Sequence, residues 1–246
     1  MLHWYCHDLF HRMPAGATAG GIAVVIDVLR ASTTIATALA HGAAAVRPVA
    51  GIEEARGLAA VLGAGTLLGG ERGGVRIPGF DLGNSPLEYT PDRVAGKTIV
   101  ITTTNGTAAL HACRDAREIL VGALVNRTAV ADEVRRLAGD SVPVHLVCAG
   151  TDGEITAEDV LAAGAILDAA AGSVEALDES AREAVAFFRR VAAAVDVQSG
   201  LVAEFRRSPG GLNLVDLGME ADLPVAAAID SLAVVPRLDR ASGRLI

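Results

Sequence analysis

From about residue 21 to about residue 170, short apolar runs alternate with alanine-rich or amphipathic segments, and this rhythm constrains the fold more than any other feature. Gly21 to Asp27, Ala44 to Val49, Thr66 to Gly69, Lys97 to Thr102, Glu118 to Gly122 and Val142 to Ala149 read as strands. Ser32 to His41, Ile52 to Leu62, Gly106 to Arg114, Asn126 to Leu137 and Thr156 to Ala171 read as helices, with Gly42 as a C-cap and Asn126 as an N-cap. Strand–helix alternation predicts a parallel or mostly parallel sheet with helices on both faces. Half of the chain is hydrophobic but only 3% is aromatic, so the core is built from Ala, Val, Leu and Ile, which suits that class better than an aromatic-rich sandwich.

The 246 residues allow one large domain or two modest ones, and no repeat or low-complexity linker divides them. We therefore expect one domain over 1–246. The region from Asp178 to Ser208, with helices at Ser180 to Val195 and Ser199 to Arg207, reads as a helical cap within it, and Ala233 to Pro236 as a final strand. The net charge of −8 argues against a nucleic-acid partner. Apolar runs broken well short of about 18 residues argue against a membrane span. Met1 to Asp8 does not read as a signal peptide, because His3, His7 and Asp8 interrupt it. Cys6, Cys113 and Cys148 lack metal-type spacing, and the latter two read as buried thiols of a cytoplasmic protein.

The chemistry is expected beyond the carboxyl ends of the strands, where open α/β sheets bind ligands. Four such ends are polar: Asp27, Arg30, Ser32 and Thr33; Glu71 and Arg72; Thr103, Thr104, Asn105 and Gly106; and Asp152 with Glu158 and Asp159 behind it. Singly, each has a structural reading: Asp27 as a helix cap, the arginines as solvated side chains, the Thr run as strand propensity, Glu158 and Asp159 as acids at a helix start. Together, carboxylates without clustered His or Cys suit Mg²⁺, and arginines beside a hydroxyl-rich loop suit an oxyanion. His3, His7 and His11 have metal-like spacing but no acid or Cys framework. The irregular stretch from Gly70 to Asp92 is long for a connection, which points to function and brings in Asn84 and Ser85. No G-x-x-x-x-G-K-[ST] or helix-opening G-x-G-x-x-G is present, so ATP and NAD have no sequence support.

The blocks VVIDVLRASTT, GERGGVRIPGFDLGNSPLEYT, GKTIVITTTNGTAAL and VCAGTDGEITAEDVLAAGAI resemble, in order, those of the 2-phosphosulfolactate phosphatase (ComB) family. LGMEADLPVAAAIDSLAVVPRL resembles the family's ending, whereas Ser208-Pro209-Gly210-Gly211 stands where the family commonly has His-Gly. The resemblance implies a three-layer α/β/α fold, a homodimer, and Mg²⁺-dependent hydrolysis of 2-phospho-3-sulfolactate to 3-sulfolactate and phosphate, as in coenzyme M biosynthesis. On that reading Asp27, Glu71 and Asp152 are the first candidates for metal ligands, Glu158 and Asp159 the second. Arg30 and Arg72 clamp oxyanions. Ser32, Thr33, Asn84, Ser85, Thr103, Thr104, Asn105 and Gly106 hold substrate. Because Leu29 stands where a D-x-D-x-[TV] phosphatase has its second Asp, attack by water is favoured over a phosphoaspartate at Asp27. The alternatives are a phosphatase or lyase for another small phospho-acid, or a non-catalytic anion-binding protein on the same fold.

Overall fold

A computed structural model describes residues 3–139, 141–170 and 176–246. The chain enters as β1 (His3–His7), where Trp4 and Cys6 point inward and the histidines outward. Then follow β2 (Ile22–Ile26), α1 (Ala31–Ala40), β3 (Ala45–Pro48), α2 (Ile52–Leu62), β4 (Thr66–Arg72), β5 (Val75–Arg76) and the single turn α3 (Pro91–Val94). The middle of the chain supplies β6 (Thr98–Thr102), α4 (Gly106–Ala112), β7 (Glu118–Gly122), α5 (Arg127–Ala138), β8 (Val144–Cys148) and α6 (Ala157–Ala169). It closes with β9 (Ala176–Leu177), α7 (Glu179–Ala192), α8 (Val197–Phe205), α9 (Pro209–Asp216), α10 (Asp222–Ala226), β10 (Leu238–Asp239) and β11 (Arg244–Leu245). Met1 and Ala171, to which two of the expectations extend, lie outside the described residues.

The strands form two sheets. The first is parallel throughout, in the order β7-β2-β8-β1-β9. The second is mixed, in the order β10-β11-β3-β6-β4-β5, with β3, β6 and β4 parallel. They meet where Arg237, just before β10, bridges Leu120 of β7. All residues of β2 and β8 are buried, as strands covered on both faces require. On one face, Ile22, Val24 and Leu146 pack against Val130 of α5, Leu161 of α6, Phe188 of α7 and Phe205 of α8. On the other, Ala23 and Val25 meet Ile35 of α1 and Ala109 of α4, which also cover Ile99 and Ile101 of β6. Helices α1 and α4 therefore lie between the sheets, while α2 covers the far side of β6 through Ala55 and Val100.

The expected α/β layering stands, and Cys6, Cys113 and Cys148 are all free and buried. Two local expectations are corrected, and one region gains elements the sequence did not show. The last strands lie at 238–239 and 244–245, a short hairpin after the proposed 233–236. Two further helices, α9 and α10, follow the expected cap. Asn126 does precede α5, but its side chain does not cap it. Its Oδ1 accepts from Ala123 N–H, and its Nδ2 donates to the carbonyls of Val121 and Val234. Among the described residues no helix is long and apolar enough to cross a membrane.

Candidate active site

Strand β2 ends at Ile26, and the chain turns sharply into α1 around Asp27. The Asp27 N–H donates to Ser32 Oγ at 2.9 Å, Asp27 Oδ1 accepts from Ala31 N–H at 3.2 Å, and the Asp27 carbonyl accepts from Ser32 N–H at 2.8 Å. These bonds satisfy donors that a helix start leaves open and fix the carboxylate's direction. Ser32 is thus a staple of this turn. Thr33 Oγ1 donates to the Val28 carbonyl and is likewise internal.

On the second sheet, Glu71 and Arg72 are successive residues of β4 and so leave opposite faces of the strand. Glu71 turns into the site. Its Oε1 accepts from Thr104 N–H at 2.8 Å and Thr104 Oγ1 at 3.0 Å, and its Oε2 from Gly74 N–H at 2.7 Å. Arg72 turns away, donating to its neighbour's carbonyl, to Thr102 Oγ1 and to the Ala50 carbonyl. The Thr-Thr-Thr-Asn-Gly stretch is strand, loop and helix, with each threonine used differently. Thr102 binds Ala50 and Arg72, Thr103 Oγ1 accepts from Thr107 N–H at the start of α4, and Thr104 holds Glu71. Asn105 has no capping bond. Gly106 packs so closely that an added Cβ would stand 2.6 Å from Asp27 Oδ2.

Behind β8, Asp159 binds backbone through both of its carboxylate oxygens. Its Oδ1 accepts from Val28 N–H at 2.8 Å and its Oδ2 from Gly150 N–H at 2.9 Å, tying the end of β2 to the end of β8. Glu158, beside it on α6, is buried, and its Oε2 has no hydrogen-bond partner among the described residues. Asp152 is not brought to the site. It is exposed, with φ 51°, in a two-residue turn with Gly153 that Thr151 and Glu154 close by paired backbone bonds. Asp-Gly is a strong signal for such a turn, so this placement was readable locally.

Arg30 is 3% exposed and makes a 2.9 Å ion pair, through Nη1, with Asp222 Oδ2 of α10. Nη1 also contacts Met219 Sδ, and Nη2 donates to the Gly74 carbonyl at 2.6 Å. Asp222 Oδ1 accepts from Ser85 Oγ at 2.6 Å. The neighbouring Asn84 is buried, its carbonyl accepts from Thr34 Oγ1, and its Oδ1 has no partner among the described residues.

Asp27, Arg30, Glu71 and Asn84 line one cavity of about 50 Å³, together with Leu29, Gly74, Thr151, Gly210, Asn213 and Leu214. It lies beyond the carboxyl ends of β2, β4 and β8, where α/β sheets place ligands. Sequence reasoning missed the wall from α9 and the Asp222 counter-ion. The one signal for α9 was the Pro-Gly-Gly run, whose Gly210 lets the helix approach Glu158: a Cβ there would lie 2.6 Å from Glu158 Oε1.

The acids repel one another. Burial first, then the charge of Asp159, pushes Asp27 up to about 8, against the pull of the Ala31 N–H and Arg30. Burial also pushes Glu158 up to about 7, and burial with the charge of Glu158 pushes Asp159 up to about 7. Arg30 is the one buried Lys or Arg among the described residues, and Asp222 already balances it. A cluster this short of positive charge suits a bound cation.

The chain matches the model of the 2-phosphosulpholactate phosphatase family over residues 9–241. It is 44% identical over 227 residues to a probable 2-phosphosulfolactate phosphatase of Symbiobacterium thermophilum, covering 91% of this chain and 93% of that one. It is 42% identical to the proteins of the same name from Carboxydothermus hydrogenoformans (91% of this chain, 88% of the relative) and Deinococcus radiodurans (88% and 87%). The chain therefore belongs to the 2-phosphosulfolactate phosphatase family of phosphoric monoester hydrolases.

Proposed function

We propose that the protein is a Mg²⁺-dependent phosphatase that hydrolyses 2-phospho-3-sulfolactate to 3-sulfolactate and phosphate. The supporting observation is the charge balance of the cavity. Asp27, Glu71, Glu158 and Asp159 are buried in one region, with Arg30 as its buried cation. Among the described residues no three His, Cys, Asp or Glu side chains are arranged to hold a metal by themselves. Mg²⁺ asks for less, since one or two carboxylates commonly suffice while water and phosphate oxygens complete its shell. Asp27 and Glu71 line the cavity and fit that role, and Glu158 is the further candidate through its unpartnered oxygen. Asp159 instead positions the strand ends. The ion, when bound, supplies charge neutralisation of phosphate oxygens and a lower barrier to attack by water.

The chain's own residues bind and orient the substrate. Of the five N–H donors of Arg30, the Nε–H and one Nη2–H have no partner among the described residues, and these serve a phosphate or sulfonate. Asn84, which lines the cavity, offers its carboxamide to a remaining oxygen. The oxygen of water forms the new bond to phosphorus and gives up a proton, the bond between phosphorus and the oxygen on C2 breaks, and the released alkoxide takes up a proton. The sum is a phosphomonoester plus water giving alcohol plus phosphate. We extend the reading to a cytoplasmic homodimer in a coenzyme M type of pathway, which rests on the family alone; sedimentation velocity tests the dimer.

Phosphate release from a panel of phospho-acids, with MgCl₂ or with EDTA, tests the activity. Mg²⁺-dependent release selective for phosphosulfolactate is expected. Equal release from many phospho-acids overturns the specificity, loss of the substrate without an alcohol product indicates a lyase, and binding without turnover indicates the anion-binding alternative. A labelled phosphoenzyme that disappears in Asp27→Asn would replace attack by water with an aspartyl intermediate.

A further inference from the structure

The C-terminal helix α10 contributes to the cavity without lining it. Asp222 is 2% exposed and lies 192 residues beyond Arg30 in sequence, yet each of its carboxylate oxygens is matched to a residue at the site. Oδ2 takes the Arg30 guanidinium at 2.9 Å, and Oδ1 takes the Ser85 hydroxyl at 2.6 Å. Ser85 adjoins Asn84, which lines the cavity together with Arg30. Asp222 thereby spans α10, the loop carrying Asn84 and the turn carrying Arg30.

The chemistry of the pair fits a positioning role. A buried guanidinium with one fixed counter-ion keeps its planar fork in one orientation, and removing the counter-ion leaves an uncompensated charge. Asp222 Oδ2 and Met219 Sδ occupy Nη1, and the Gly74 carbonyl occupies one N–H of Nη2. The same carbonyl belongs to the turn whose N–H binds Glu71 Oε2. Without Asp222, Arg30 would be held by Gly74 and Met219 alone, and Ser85 would lose its acceptor.

We propose that Asp222 is a positioning residue for oxyanion binding: its ion pair with Arg30 and its hydrogen bond from Ser85 set the guanidinium and the Asn84 loop in register around the cavity. This rests on Arg30 acting as an anion clamp in the proposed phosphatase.

The test compares Asp222→Asn, which keeps an acceptor for Ser85 but removes the charge, with Ser85→Ala, which removes the second arm alone. The readouts are KM and kcat for the phospho-acid, affinity for inorganic phosphate by calorimetry, and the urea midpoint. Asp222→Asn is expected to raise KM and weaken phosphate binding about tenfold or more, with kcat lowered less than KM is raised, because a small misplacement of a binding group is costly. Ser85→Ala is expected to shift KM and phosphate affinity in the same direction by a smaller factor, about threefold, because the Arg30 ion pair remains, with a modest fall in the urea midpoint from the hydrogen bond lost at the Asp222 carboxylate. If both folded variants keep wild-type KM and phosphate affinity, or lose only stability, the proposal is overturned. If Asp222→Asn does not fold, Ser85→Ala decides. A wild-type protein that binds phosphate but hydrolyses no ester sinks the phosphatase reading and leaves Asp222 to be judged by phosphate affinity. One that binds no phosphate, with or without Mg²⁺, overturns the clamp and the role of Asp222 with it.

Discussion

Two glycines provide opposed tests of how tightly the site is built. Gly57 lies inside α2 and Gly106 opens α4, and neither has a positive φ. At Gly57 an added Cβ would meet nothing within 4 Å, so helix propensity decides. Gly57→Ala is expected to stabilise the protein by about 0.5–1 kcal/mol and to leave activity unchanged. At Gly106 the same methyl would stand 2.6 Å from Asp27 Oδ2 and 2.7 Å from Ala31 Cβ, where ordinary contact begins at 3.4 Å. Ala31 is in the first turn of a buried helix, and Asp27 is held by the Ala31 N–H. Either α4 retreats by roughly 1 Å or the carboxylate turns, and such overpacking costs about 1–3 kcal/mol, more than the propensity gain. A displacement on the order of 1 Å at a reacting group lowers rate by roughly 10²-fold. Gly106→Ala is therefore expected to lose about 1–2 kcal/mol in urea unfolding and about 10²-fold in kcat/KM by phosphate release. A Gly106→Ala protein as stable and as active as wild type would refute the claim that α4 is seated rigidly on Asp27.

Three further outcomes follow from the same geometry. In EDTA, stability should fall as pH rises from about 4 to about 8. Folded Asp27, Glu158 and Asp159 then keep protons that the unfolded chain has lost, so the folded state binds more protons and each rise in pH favours unfolding. MgCl₂ should restore more stability at pH 8 than at pH 5, and a flat urea midpoint across this range would contradict the raised carboxylates. Arg72→Ala should cost about 1–2 kcal/mol through its lost bonds to Thr102 and to the carbonyls of Glu71 and Ala50, yet leave KM within about threefold; a tenfold rise in KM would return Arg72 to the site. Asp152→Gly should keep both stability and rate, since the left-handed turn position suits glycine, and a large loss of Mg²⁺ dependence would restore Asp152 as a ligand.

Local sequence determined the strands and helices whose signal is periodic. Strands β2, β6, β7 and β8 and helices α1, α4, α5 and α6 lie within a few residues of their expected places, because apolar runs and cap signals are read within one segment. Asp27, Arg30, Glu71 and Asn84 were legible for a related reason: each stands at or near a strand end or in a long polar loop, and all four line the cavity. The sequence did not disclose β1, because its histidines interrupt the apolar pattern although Trp4 and Cys6 alternate into the core. Tertiary structure alone decided the partition into two sheets, since strand pairing depends on which distant segments bury one another's faces. It also decided that the cavity takes the face of β4 that carries Glu71 and not the one that carries Arg72, and that Asp222 and α9 close a cavity begun at Asp27. A side chain's type carries its chemistry. Which charges share a buried space is fixed by contacts between residues up to 192 positions apart, and no local pattern encodes those.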